Sequence, residues 1–265
     1  MIAKGHAGFH TALVSFAERR EINMQIKIIR HCDPDYSIDS LTKTGWEEAE
    51  ALADFMENVP VDAYYVSPLG RAQDTANTCL RRVGKTAEVC DWLREFDCPV
   101  KKNEPQEFVT DCSWDWLPAE WTARPSFFDK DRWLEEPEFA TVGMKTYYQR
   151  VCDGLDLLLK KHGYERDGLN YKAVDPNHKV LVFFCHFGLE CVLLSHLLNI
   201  SPMQLWHGTC AAPSSITTVI TEERDMGLAS WRMLRFGDIS HLVLKGMEPS
   251  FHARFCECFQ DETRH

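Results

Sequence analysis

The 265-residue chain is short of positive charge. It carries 29 Lys plus Arg against 40 Asp plus Glu, a formal net charge of −11. Nucleic-acid binders use a basic stripe to displace counterions from phosphates, so no nucleic-acid partner is expected. Any anion must be held by a few Arg and His gathered locally against the protein's own field. The chain also lacks an uninterrupted membrane span. Its most apolar stretch, residues 180–198, contains His186, Glu190 and His196, which are costly in a bilayer. That stretch reads as a buried strand followed by a helix, and no membrane partner is expected. Residues 1–23 have no continuous apolar core, so they do not read as a secretory signal. Zinc-type spacing is missing as well: Cys256 and Cys258 form a lone C-x-C pair. No metal or cofactor is expected, and there is no internal repeat.

What is present is a globular composition, 45% hydrophobic and 26% charged. A chain of this length buries roughly 70–75% of its unfolded surface, so it needs no staples. The 11 cysteines are odd in number and scattered, with Cys185 and Cys191 in apolar runs. Buried free thiols of this kind point to the reducing cytoplasm.

Residues 1–23 end in a charged cluster and read as an N-terminal extension, a short helix or a disordered tail. The domain proper is expected over 24–265. Apolar runs predict strands at 25–29, 63–66, 86–90, 180–184, 215–221 and 231–236. Helical spacing predicts helices at 42–57, 70–81, 144–161 and 189–198, the first with a Thr N-cap and an apolar face of Trp46, Ala49, Leu52, Ala53 and Met56. Residues 97–143, acidic, Pro-punctuated and holding Trp114, Trp116, Trp121 and Trp133, read as an inserted cap. Strands alternating with helices predict an α/β fold, a mostly parallel sheet covered on both faces.

In such sheets function gathers at the carboxyl ends of the strands. Arg30-His31-Cys32 follows the first strand and Ser67-Pro-Leu-Gly-Arg71 the second. Glu95 follows the strand at 86–90, and Cys185-His186-Phe187-Gly188 the apolar strand at 180–184. Two Arg, two His and a Glu would meet on one rim. That set fits phosphoryl transfer through a phosphohistidine. Guanidinium forks match phosphate oxygens and offset transition-state charge. A neutral imidazole, its pKa held down by nearby cations, can attack phosphorus. A carboxylic acid can protonate the leaving oxygen and then, as carboxylate, activate water.

On these motifs the sequence resembles the histidine phosphatase superfamily, the phosphoglycerate mutase-like proteins with an Arg-His-Gly signature. Arg30-His31 matches the signature, Leu41-Thr42-x-x-Gly45 a motif at the first helix, and Ser67-Pro-Leu-x-Arg71-Ala-x-x-Thr75 a second specific motif. Leu93-x-Glu95, His186-x-Gly188 and Phe236-Gly-Asp-Ile-Ser-His241-Leu match further positions. The resemblance implies a three-layer α/β/α sandwich. It makes His31 the nucleophile, Glu95 the proton donor and His186 the second catalytic histidine, with Arg30, Arg71 and His186 on the phosphate. Cys32 stands in place of the signature Gly, and Phe187 where a Gly often follows the second His. Ser37 replaces an Asn six residues after the nucleophile. Ser37, Cys32, Phe187 and Gly188 are therefore additional pocket candidates.

Two other motifs are weaker. Asp33-x-Asp35 mimics a magnesium-dependent aspartyl phosphatase, but Arg30, His31 and Cys32 separate it from the strand. Cys258-x5-Arg264 has cysteine-phosphatase spacing in a polar tail without a Gly-rich cradle. Cys32 and Cys185 read as small packing residues, with a redox-sensitive site as the alternative, and His162, His178, His196 and His207 as structural or solvated. The expectation is a metal-independent phosphomonoesterase acting on a small phosphorylated metabolite, with inorganic phosphate as product. Cap acids Asp111, Asp115, Glu120, Glu135 and Glu136, with only Lys101-Lys102 as a basic candidate, disfavour a mutase. Mutase-type transfer and a non-catalytic phospho-ligand binder remain the alternatives.

Overall fold

The computed structural model describes residues 23–102, 110–250 and 252. Cys256, Cys258, Arg264 and all but Asn23 of the expected extension lie outside the described residues, as does part of the cap.

Strand β1 (Gln25–Arg30) leads to a two-stranded corner, β2 (Pro34–Asp35) against β3 (Ser40–Leu41). Helix α1 (Lys43–Met56) begins at Thr42, whose hydroxyl accepts the Gly45 N–H at 3.0 Å, satisfying one of the free first-turn donors. Its buried face runs through Gly45, Glu48, Ala49, Leu52, Ala53 and Met56; Trp46, expected on that face, is exposed because Gly45 and Glu48 take the inward positions. Gly45 is required there: a Cβ would lie 2.1 Å from the Asp33 carbonyl oxygen.

Next come β4 (Ala63–Val66), α2 (Gly70–Val83) and the short β5 (Glu88–Val89), smaller than the strand expected at 86–90. The cap holds α3 (Pro118–Thr122) and α4 (Pro137–Thr141) with 3-10 turns between them. After α5 (Met144–Lys161) a hairpin not read from the sequence appears, β6 (Tyr164–Asp167) and β7 (Asn170–Ala173). Then follow β8 (Val180–Cys185), α6 (Phe187–Leu198) and α7 (Pro202–Gly208). The long hairpin β9 (Ile216–Asp225) and β10 (Leu228–Asp238) and the short α8 (Ser240–Val243) close the domain.

The eight-stranded sheet has the order β5-β4-β8-β1-β9-β10-β7-β6. The half that carries the candidate residues, β5-β4-β8-β1, is wholly parallel, and β9 onward extends it antiparallel. All six residues of β8 are buried, as expected of a parallel strand covered on both faces. One apolar core lies under α1 and α2 and includes Ile29, Leu52, Ala76 and Phe184. The other lies under α5, α6 and the cap and includes Phe183, Leu155, Trp133 and Trp206. These two cores make the three layers. The cap is packed onto the second: Trp133 meets Trp206 edge-on at 5.7 Å and Phe139 at 5.3 Å.

Candidate active site

Ladder hydrogen bonds fix the strand ends that bear the chemistry. The His31 N–H donates to the Cys185 carbonyl at 2.9 Å, and the Ser67 N–H to that of Phe184 at 3.0 Å. The ends of β1, β4 and β8 are thereby held in step, and His31 and His186 come together with ring centroids 5.1 Å apart. Both are buried. Burial, then the Arg30 and Arg71 charges, hold the His31 pKa well below its ordinary value; burial, His31 and the same arginines do so for His186. Both rings are therefore neutral near pH 7.

The tautomers follow from their partners. His31 Nδ1 lies 2.7 Å from the Cys32 carbonyl oxygen, which can only accept, so Nδ1 carries the hydrogen and Nε2 keeps a free lone pair. Ser67 Oγ accepts the Leu69 N–H at 3.2 Å and lies 2.7 Å from His186 Nε2. With the hydroxyl as donor to Nε2, the His186 hydrogen sits on Nδ1, which has no partner among the described residues and is open to a phosphate oxygen.

Arg30, 2% exposed, anchors Nη1 on the Ala211 carbonyl and lays its guanidinium over the Phe187 ring at 5.8 Å. Arg71 is held by Asp39, which accepts its Nη1 at 2.6 Å on one oxygen and the Gly70 N–H at 2.7 Å on the other. The Tyr36 ring covers the Arg71 guanidinium at 5.2 Å. Gly70 is needed for this fit, since a Cβ would come within 2.1 Å of the Asp39 carbonyl oxygen. The Nε atoms of both arginines are buried and unpartnered among the described residues.

Glu95 reaches the rim from the turn after β5. Its Oε1 accepts the Phe96 N–H at 2.8 Å and the Leu189 N–H at 3.0 Å. Burial raises its pKa against the pull of those N–H groups and of Arg71 and Arg30. Glu95, His31, His186, Arg30 and Arg71 thus share one electrostatic neighbourhood.

Cys32 is buried beneath the loop, its N–H bonded to Thr75 Oγ1 at 3.0 Å. Phe187 packs under Arg30, and Gly188 is pressed by the cap: a Cβ there would meet the Trp114 ring at 2.5 Å. Ser37 departs from expectation. It is exposed, and its N–H and hydroxyl both turn back onto Asp35 Oδ1. The short loop closes as a turn on its own aspartate, so Ser37 does not join the cluster. Ser67, Asp39 and Tyr36 were not assigned from sequence. Ser67 stood in a quoted motif, while Asp39, with φ at 49°, and Tyr36 gave no periodic signal. Asp33, of the aspartyl-phosphatase mimic, is occupied by the Thr42 and Ser250 hydroxyls.

The pattern of the histidine phosphatase superfamily (branch 1) matches residues 19–233. The chain belongs to that superfamily. No curated protein matches it at a significant level. Among solved structures, this histidine phosphatase is similar to a phosphoserine phosphatase mutant of Entamoeba histolytica crystallised with phosphoserine. That pair has 19% identity, covers 83% of this chain and 99% of the other, and has a TM-score of 0.53. A mycobacterial glucosyl-3-phosphoglycerate phosphatase matches with 17% identity, 81% and 99% coverage and a TM-score of 0.52. The alpha-ribazole phosphatase of Shigella flexneri matches with 19% identity, 82% and 98% coverage and a TM-score of 0.50. At these identities the likeness establishes the phosphoglycerate mutase-like fold. Among the described residues no helix is long and apolar enough to cross a membrane.

Proposed function

We propose that this histidine phosphatase hydrolyses a phosphomonoester of a small metabolite through a phosphohistidine on His31. The observation that carries this reading is the pairing of two neutral imidazoles 5.1 Å apart between two buried guanidiniums. His31 Nε2 attacks phosphorus as the bond to the leaving oxygen breaks, and Glu95 gives that oxygen its proton. Arg30, Arg71 and the His186 Nδ1–H take up the charge on the equatorial oxygens. Water then attacks the phosphohistidine, Glu95 as carboxylate receives the water proton, and the N–P bond breaks to release inorganic phosphate. The raised pKa of Glu95 suits a group that must be an acid first and a base afterwards.

Hydrolysis is favoured over mutase transfer by the cap. Lys102 is turned onto the Thr110 carbonyl and the Trp116 ring, and Arg124 binds Glu136 and Glu138. These cations are committed within the cap rather than to a second phosphate. The phosphatases of similar fold, named for small phosphorylated metabolites, support that substrate class.

The test is a screen of phosphorylated metabolites with wild type and His31→Ala, coupled to trapping of an acid-labile, base-stable phosphoenzyme. His31→Ala is expected to abolish both signals while keeping the fold. Turnover retained in that variant would overturn the mechanism. Phosphate binding without a phosphoenzyme or turnover in wild type would instead identify a non-catalytic binder.

A further inference from the structure

The first turn of α6 carries a carboxyl that the proposed reaction does not use. Glu190 is 1% exposed, and among the described residues neither carboxylate oxygen has a hydrogen-bond partner. Such burial is unfavourable compared with an apolar side chain of the same shape. Glu190 lies three residues after Phe187, so the two share a helix face. Phe187 packs against the Arg30 guanidinium, and the Arg30 Nε is itself buried and unpartnered among the described residues. An unpaired acid and an unpaired guanidinium edge therefore belong to one buried cluster behind the phosphate pocket.

We propose that Glu190 is a positioning residue that sets the effective charge of Arg30, so that a bound oxyanion is accompanied by a proton on Glu190 and leaves as that proton is lost. The inference rests on reading Arg30 as a phosphate ligand. The groups facing Glu190 are the Thr217 hydroxyl from β9, Arg30 from β1, Glu95 from the turn after β5, Cys185 at the end of β8, and Cys191 on its own helix. The other elements against α6 direct their charged groups elsewhere. His207 of α7 faces Asp115 and Lys102, Asp156 of α5 binds His196 and Tyr171, and Arg235 of β10 pairs with Asp238.

Burial pushes the Glu190 carboxyl up to about 7, with the Thr217 hydroxyl and then Arg30 pulling it down and Glu95 pushing it up. Near neutral pH it is therefore divided between its two forms. A dianion at Arg30 adds negative charge and favours the neutral form. By linkage, ionised Glu190 weakens the anion by the same factor. With a midpoint near 7 and one linked proton, affinity falls about tenfold between pH 6 and pH 8. Release of product phosphate is eased in the same way.

The experiment uses sulfate, whose charge does not change near neutral pH, as the probe of the full-length protein. Its inhibition constant is measured at pH 6, 7 and 8 for wild type and Glu190→Gln. Wild type is expected to weaken about tenfold more over that range than the variant. Calorimetry in buffers of different ionisation enthalpy should show proton uptake at pH 7 in wild type that Glu190→Gln lacks. Glu190→Leu serves the same comparison should the Gln variant not fold, and absent proton uptake in wild type overturns the proposal without any variant. Equal pH slopes in wild type and variant overturn this inference alone. Failure of both sulfate and phosphate to bind wild type at any pH overturns the phosphate-pocket reading and this inference with it.

Discussion

Replacing Glu95 with Gln separates the acid role proposed for this side chain from its structural one. Oε1 accepts two backbone N–H groups at 2.8 and 3.0 Å, and a Gln carbonyl oxygen can accept both, so the rim keeps its shape. What is lost is the proton on the other oxygen. General acid catalysis contributes about 10²–10⁴-fold, and that loss should fall on substrates whose leaving group needs the proton. Alkyl phosphates are expected to lose about 10²-fold or more in kcat/KM. A nitrophenyl phosphate leaves without protonation, so its kcat/KM should fall less than about tenfold. The second half-reaction also loses its base, and phosphohistidine should accumulate. Rapid-quench mixing of Glu95→Gln with nitrophenyl phosphate should give a burst of nitrophenol near one equivalent per site, followed by slow turnover. Equal losses on both substrate types with no burst would refute the assignment. The acid would then be sought at the exposed Asp97, because Asp33 is held by Thr42 and Ser250.

Gly188→Ala would drive a methyl into Trp114; overpacking of this kind costs about 1–3 kcal/mol, and a lowered unfolding midpoint with a raised KM is expected, whereas unchanged values for both would show that the cap does not bear on α6. His207 stacks on Trp121, accepts the Trp116 N–H, and is held by burial at a pKa of about 4. Because its folded pKa lies below the unfolded value of about 6.5, its contribution is unaffected above pH 6.5 and is lost as pH falls toward about 4. Between pH 6.5 and 5 that amounts to about 2 kcal/mol, a loss that urea unfolding should reveal in wild type and not in His207→Gln. Burial raises the Cys32 and Cys185 thiols well above their ordinary range. Brief peroxide or iodoacetamide treatment is therefore expected to leave phosphatase activity unchanged, and inactivation relieved by Cys32→Ala would overturn this.

The residues at strand ends were legible because a buried parallel strand is an unbroken apolar run, and whatever follows it must emerge on one edge. That logic selected Arg30, His31 and His186 directly, and Arg71 through the helix that follows β4. It did not reach Asp39, Tyr36 or Ser67, whose roles depend on how loops fold back over α2 and on pairings across 31 residues or more. Ser37 stays out of the cluster for a local reason: the aspartate two residues before it offers its hydroxyl a nearer partner than the pocket. The β6–β7 hairpin leaves no clear sequence signal because its short strands, Tyr164-Glu-Arg-Asp and Asn170-Tyr-Lys-Ala, are polar on their outer face at the end of the sheet. In the cap, local propensity is weak and aromatic interlocking decides the path. Trp116, for example, meets both Phe127 and Phe139 edge-on.

The locking of β1 and β4 onto the fully buried β8 bears on the order in which the molecule comes apart. The His31 and Ser67 amides are tied into the middle of the sheet, where opening demands near-global unfolding. The cap, built from short helices and turns, can loosen at lower cost. On warming, the cap should come loose before the sheet edge that carries His31 and Ser67 does.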